Sequence, residues 1–518
     1  MKAVINRKSK IENRKWRQPV DRLALALMLV LSVVIGLVVW GGDACGTNCF
    51  FVTGPRVRDF NWQGEKIGVE DTSFILTFSR PMEHSSVEAN LRIAPPLRGK
   101  FSWAGRKMSY TLTSPASYDT DYKVELQGAR ERLGTQGKTG RAIQPFTSQF
   151  RTRDRAFIYL GVEKEEQGQL ILYNLTQNKK TVLTPKDLVV MDFKVYPDGD
   201  KVLFSATDST TNKPGVSAQQ LYTVTTGLNY KTKGKSEKDL DPSGRMNLVL
   251  DNENYQNLKF DLAADGQTIV VQRVNSQNPA EFGLWVVRPN APPQPLNNQP
   301  GGDFLIAPDS ASVASAQGEG IAILPLTPGA KPLDFLPKFG MALDFARDGS
   351  AAAMVKFNTD YTRSLFLVTN QGVQKELVRT NGSILNCQFA PYKETLYCLL
   401  TQLLPGEEYQ EQPYIAAIDL QTQTGTLDAK AIEPLLLLPT QRDIQMSLAP
   451  DGLALLFDQV VTNETPATAD SLRTSEGQAI ATSRLWLLPL SQPKAGEPPA
   501  QLQPEPLPFA GFHPHWIP

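Results

Sequence analysis

With 518 residues the chain has room for two to four domains and a substantial core. Its 53 basic residues balance 53 acidic ones, so the overall charge makes no case for a nucleic-acid partner. Three histidines and four cysteines leave a small inventory for metal or acid–base chemistry.

The basic residues are unevenly placed. Residues 1–22 carry eight Lys or Arg against Glu12 and Asp21, and Leu23 to Trp40 follow without a charge. As a helix that run is roughly 27 Å long, close to the hydrocarbon thickness of a bilayer. Trp16 and Trp40 flank it, where indoles favour the interface. The alternative, a cleaved signal peptide, calls for a shorter apolar core and a small-x-small site, and Val38 to Ala44 is a poor one. The pattern predicts a basic cytoplasmic segment at 1–22 and a transmembrane signal-anchor helix at 23–42. It places a juxtamembrane linker at 43–54 and everything beyond outside the cytoplasm, on a single-pass inner-membrane protein. Cys45 and Cys49 form a candidate disulfide pair in that linker.

From Pro55 to Arg153 the pattern is one of short alternating strands. Phe74, Leu76 and Phe78 share one face, and further runs follow at Leu91-Arg92-Ile93, Phe101-Ser102-Trp103, Met108 to Leu112, Tyr122 to Leu126 and Phe146 to Thr152. Turn residues such as Pro95-Pro96, Gly99 and Gly105 separate them, which predicts a β-sandwich over 55–153. Phe78-Ser79-Arg80-Pro81-Met82, Ser86-Val87-Glu88, Phe101-Ser102-Trp103, the Tyr118 to Leu126 strand and Phe150-Arg151-Thr152 resemble the bacterial Ig-like domain of S-layer and other envelope proteins. The resemblance implies an extracytoplasmic spacer or adhesive module without catalytic residues.

Residues 154–518 are dominated by a repeated phrase. It reads Val195-Tyr196-Pro197-Asp198-Gly199 and returns as Ala263-Ala264-Asp265-Gly266, Ala307-Pro308-Asp309-Ser310 and Ala346-Arg347-Asp348-Gly349. Ala390-Pro391-Tyr392-Lys393 and Ala449-Pro450-Asp451-Gly452 complete the set. Each copy joins two apolar runs and reads as a β-hairpin. A third strand follows, for example Leu221 to Val224, Leu284 to Val287, Leu365 to Val368 or Leu485 to Leu488, and then a less regular fourth. Four antiparallel strands per repeat is a propeller blade. Seven third strands stand against six complete hairpins, and Trp516-Ile517-Pro518 matches the start of a phrase. That arithmetic predicts an all-β region of seven blades, closed by the C-terminal strand against the orphan run Arg155 to Tyr159. The Pro-Asp-Gly hairpins resemble those of TolB-like (WD40-like) propellers. Long polar or Pro-rich stretches at Asn229 to Asn257 and Gln492 to Pro508 read as loops, the former with a basic run, Lys231 to Lys235.

Asp198, Asp265, Asp309, Asp348 and Asp451 recur once per repeat and invite a metal-ring reading. The turn gives a simpler account, in which Asp caps backbone amides and Gly199, Gly266, Gly349 and Gly452 supply positive φ. Cys387 and Cys398 fall directly opposite one another if the hairpin turns at Tyr392-Lys393, so they are a disulfide or two buried free thiols. A zinc site would need His84, His513 or His515, two of which lie at the far end of the chain. There is no Gly-x-Ser-x-Gly elbow, Walker loop or His-Glu-x-x-His motif. The expectation is a membrane-tethered, non-enzymatic binding or scaffold protein of the bacterial envelope, without cofactor, metal or catalytic residues. The propeller would present a face to a protein, peptide or glycan. The alternative is a propeller enzyme acting on envelope glycans, as hydrolase or lyase, through carboxylates at the channel mouth.

Overall fold

The structure is a computed structural model that describes residues 19–44, 54–132, 140–163, 165–209, 218–230, 240–296, 301–406, 409–421, 432–439, 443–463, 479–490 and 502–518. The basic segment before Pro19, the Cys45/Cys49 pair and the Lys231 to Lys235 run lie outside the described residues.

Among the described residues two helices accompany an otherwise all-β fold. α1 spans Pro19–Ala44 and α2 spans His84–Asn90. The expected transmembrane anchor is overturned: among the described residues no helix is long and apolar enough to cross a membrane. The single-pass inner-membrane location falls with it.

Residues 57–152 form two four-stranded sheets. Strict alternation puts Phe74, Leu76 and Phe78 on the inside of one and Tyr122, Val124 and Leu126 on the inside of the other. Both sheets share one core, where Phe60, Trp62, Phe74 and Phe150 meet edge to face with ring centroids 5.0–6.3 Å apart.

Beyond Arg153 the described residues form seven four-stranded antiparallel sheets, the blades of a β-propeller. Six are built from consecutive strands. The first joins Lys179–Val182, Leu170–Asn174 and Ala156–Gly161 to the far-off strand Gly511–Trp516. The sheets remain separate units, and none is itself a closed sheet, which corrects the expected fold class alongside the missing anchor. The first strands of the sheets, taken in order round the molecule, are Gly511–Trp516, Leu188–Val195, Tyr255–Leu262, Phe304–Ile306, Met341–Phe345, Ile384–Phe389 and Met446–Leu448. From Tyr255–Leu262 onward each touches the next, ending with Gly511–Trp516. Apolar clusters fill the seams, as where Leu203 of the second sheet packs with Ile269 and Val271 of the third. Phe157, Tyr159 and Ile171 of the first sheet pack likewise against Leu456 and Leu485 of the seventh.

The N-terminal sheets bear on the turn side of the propeller. Asp451 Oδ2 accepts from the Tyr118 N–H at 3.2 Å and from Arg155 Nη2 at 2.9 Å. Arg153 is fully buried, pairs with Glu70, and donates through Nη1 to the Pro518 carbonyl at 2.8 Å. Its guanidinium lies 4.8 Å from the Tyr230 ring centroid, which helps to hold a charge out of water.

Candidate functional site

The turn residues are placed first, because they fix everything inward of them. Asp198 Oδ1 accepts from the Asp200 N–H, Asp265 Oδ1 from Gln267 and Thr268, Asp309 Oδ1 from Ala311, Asp348 Oδ1 from Ser350, and Asp451 Oδ1 from Leu453, all between 2.7 and 3.1 Å. Gly199, Gly266, Gly349 and Gly452 have φ of 72°, 64°, 69° and 72°, and each N–H closes a turn onto the carbonyl three residues back. Ser310 and Lys393 hold the same left-handed place, at φ 56° and 60°, in two copies that lack the glycine. The Asp side chains thus serve the turns and do not converge on a common centre. Among the described residues no group of three or more His, Cys, Asp or Glu is arranged to hold a metal ion.

Four residues before each of six turn positions lies one residue of an inner ring, Lys194, Asp261, Leu305, Asp344, Gln388 and Ser447, and His515 holds the same place ahead of Trp516-Ile517-Pro518. Two residues earlier stand Asp192, Lys259, Asp303, Ala342, Asn386, Gln445 and His513; alternation puts Asp192, Lys259 and Asn386 on the same face as their ring residues, whereas the pairing shifts between Ala342 and Asp344 and between Phe512 and His515. The first ring ties the strands together. Asp261 Oδ2 accepts from the Ile306 N–H (2.9 Å), Asp344 Oδ2 from Phe389 (2.8 Å), Gln388 Oε1 from Leu448 (2.7 Å) and Ser447 Oγ from Trp516 (3.1 Å). In each case the donor sits one residue after the ring position of the next strand. Lys194 Nζ continues the circuit to Asp261 Oδ1 at 3.6 Å, and His513 Nδ1 lies 3.8 Å from Asp192 Oδ1. Lys259 pairs with Asp303. Leu305 alone in the first ring has no polar atom to offer, so no such bond runs from the fourth sheet to the fifth.

The electrostatics follow from enclosure. Burial pushes Asp344 up to about 7 even though the Phe389 and Phe345 amides favour its charge. Burial, Lys194 and His513 together drive His515 down to about 3, so it is neutral near pH 7. Burial works against the charge of Lys194, but the carboxylates of Asp261 and Asp192 outweigh it and hold the ammonium above its usual value. Asp458 lies just outside the rings, with Oδ1 accepting from the Gln445 N–H and Oδ2 from the His513 N–H; burial lifts it to about 7.

Of the other residues singled out in the sequence, Cys387 and Cys398 are paired in register and joined by a disulfide with Cα atoms 4.1 Å apart. His84 stacks on Trp103, remote from His513 and His515. On the side of the propeller away from the phrase turns, the Phe357 to Arg363 and Leu403 to Glu411 connections expose Phe357, Tyr361 and Tyr409, the second of them 92% exposed. The inner rings are missed by reading the phrase for its turn alone. The signal that finds them is the fixed offset of four and six residues.

The sequence matches no known family model and no curated protein, so the resemblance to bacterial Ig-like domains finds no support there. Solved structures with a similar arrangement include TolB from Acinetobacter baumannii, at 10% identity and a TM-score of 0.38, covering 78% of this chain and 81% of that one. Oligogalacturonate lyase from Vibrio parahaemolyticus is another, at 12% identity and a TM-score of 0.40, covering 59% and 86%. Both are β-propellers. Likenesses this low carry no argument about activity, and the propeller here rests on its own seven sheets.

Proposed function

We propose that the chain is a binding scaffold whose propeller presents an interaction surface to a protein, peptide or glycan. The observation that supports this is how the inner ring spends its polar atoms. Asp261, Asp344, Gln388 and Ser447 each accept a main-chain N–H from the neighbouring strand. A general acid or base must reach its substrate within hydrogen-bond distance. Both oxygens of Asp344, the carboxyl with the most altered affinity for protons in the ring, already hold the Phe345 and Phe389 amides. These groups brace a rigid scaffold on which surface recognition is built.

The test is crosslinking of the full chain in its native cells followed by mass spectrometry, with wild type and the Asp261→Asn/Asp344→Asn variant side by side. Asn keeps one acceptor oxygen, gives up the second main-chain bond of Asp344, and abolishes the acid. The scaffold reading expects the same crosslinked partner in both. Turnover of a glycan by the wild type that disappears in the variant would replace this reading with the enzymatic one.

A further inference from the structure

We propose that the seam between the fourth and fifth sheets is a docking groove for a short extended peptide that alternates apolar and basic side chains. This deepens the binding-scaffold reading and rests on it. The first observation is a cavity of about 670 Å³ between these two sheets, open on the turn side. Its size is that of a specific ligand site.

Side-chain volumes at the seam contribute to the cavity. Facing pairs from the second strands of adjoining sheets occupy the matching place in other seams, Leu203 with Ile269, Val270 with Val313, Ala353 with Leu396 and Tyr397 with Leu455, although a cavity of about 760 Å³ also opens beside Ile269 between the second and third sheets. In the fourth-to-fifth seam the facing pair is Ala314 and Ala352. Two alanines fill less of that place than the bulkier pairs do, which adds to the space along this seam. The same seam lacks the inner-ring bond, because the fourth sheet contributes Leu305. Packing and hydrogen bonding are thus both relaxed at one place.

Shape and charge then select the occupant. The lining crosses each sheet from near the inner strand, at Phe345, to the outer strands, at Leu336 and Gln374. Three inter-strand steps of about 4.8 Å make roughly 14 Å, the length of about four extended residues. The floor is apolar, with Met354 and Val368 against Ile323. The rim carries Asp309, Asp334 and Asp348 against Arg347 alone. Lys393 matches Asp348 at 2.6 Å, whereas Asp309 and Asp334 have no ion-pair partner among the described residues. An elongated, floor-apolar, rim-acidic groove fits alternate side chains of a strand, apolar inward and basic outward.

The experiment is fluorescence anisotropy on the full chain with a fluorescein-labelled hexapeptide of alternating leucine and lysine. Leucine–glutamate and serine–lysine peptides are the comparisons. The wild type is expected to bind the first saturably and the other two far more weakly. Ala352→Phe, which fills the groove, should weaken binding about tenfold. Asp334→Lys, on an exposed rim residue, should weaken it about threefold, with the loss shrinking at high salt. If Ala352→Phe fails to unfold cooperatively, the exposed Asp334→Lys variant decides alone. Absence of binding, equal binding of the leucine–glutamate peptide, or binding unchanged in the deciding variants overturns the groove. A crosslinked partner that persists in Ala352→Phe would leave the scaffold reading standing while the groove falls.

Discussion

Asp344 accepts two main-chain N–H groups, yet burial holds its carboxyl at about 7 against an ordinary 3.8. Between those two values the folded chain keeps a proton that the unfolded chain has lost. Stability contributed by this group is therefore present below about pH 4 and drains away as the pH rises to about 7. His515 works in the opposite direction. Its folded value of about 3 lies below the ordinary 6.5, so its contribution is full above 6.5 and is lost as the pH falls towards 3. The two partly cancel in the wild type. In Asp344→Asn the melting temperature should fall less between pH 4 and 7 than in the wild type, as followed by circular dichroism across that range. An identical pH profile would mean that Asp344 titrates as an exposed carboxylate. The sequence shows a polar residue four before most of the turns, but a single offset carries no sign of enclosure. The proton affinity arises only when seven strands bring those residues to one axis.

At the scale of strands, the hairpin from Ile384–Phe389 to Thr395–Leu403 shows what turn chemistry can and cannot specify. The turn at Tyr392-Lys393 sets the pairing of Cys387 with Cys398, and the pair follows from counting outward. The bond between them closes a loop with a sequence separation of 11, whose constraint on the unfolded chain contributes about 2–3 kcal/mol. The Cys387→Ser/Cys398→Ser variant should lose that amount in urea denaturation, and the reduced wild type should match it. Further along the same strand the pairing shifts between Ile384 and Asn386, as it does between Val190 and Asp192, Asn257 and Lys259, and Ala342 and Asp344. Such bulges re-aim the residues that reach the axis. They are invisible to an alternation count, since one extra residue on a strand changes no composition. The facing alanines Ala314 and Ala352 are the reverse case: visible once the repeats are aligned by their turns, and meaningless before it.

For the whole molecule, the first sheet is the element on which the others depend. Gly511–Trp516 is its inner strand, with Trp516 and Ile517 buried at 4% and 1% exposure. Removing residues 511–518 would bare the Ala156–Gly161 edge and unpack both neighbouring seams. The truncated chain should lose cooperative unfolding by circular dichroism and elute as aggregate in size-exclusion chromatography. A monomer with a sharp transition would show that six sheets suffice. The blade repeat was open to sequence reasoning because each blade punctuates itself with a turn. The anchor expectation, drawn from the absence of charge over Leu23 to Trp40, is overturned, since among the described residues no helix is long and apolar enough to cross a membrane.

The pairing of Ala156–Gly161 with Gly511–Trp516 also sets a schedule for making the protein. The first of these strands leaves the ribosome about 350 residues before its partner does. At roughly 5–20 residues per second, that is a wait of about 20–70 s with one strand edge unpaired. A nascent chain in that interval offers a template for any other strand nearby. Translation of residues 511–516 therefore decides when the first blade becomes safe, and a pause before them would prolong the exposure.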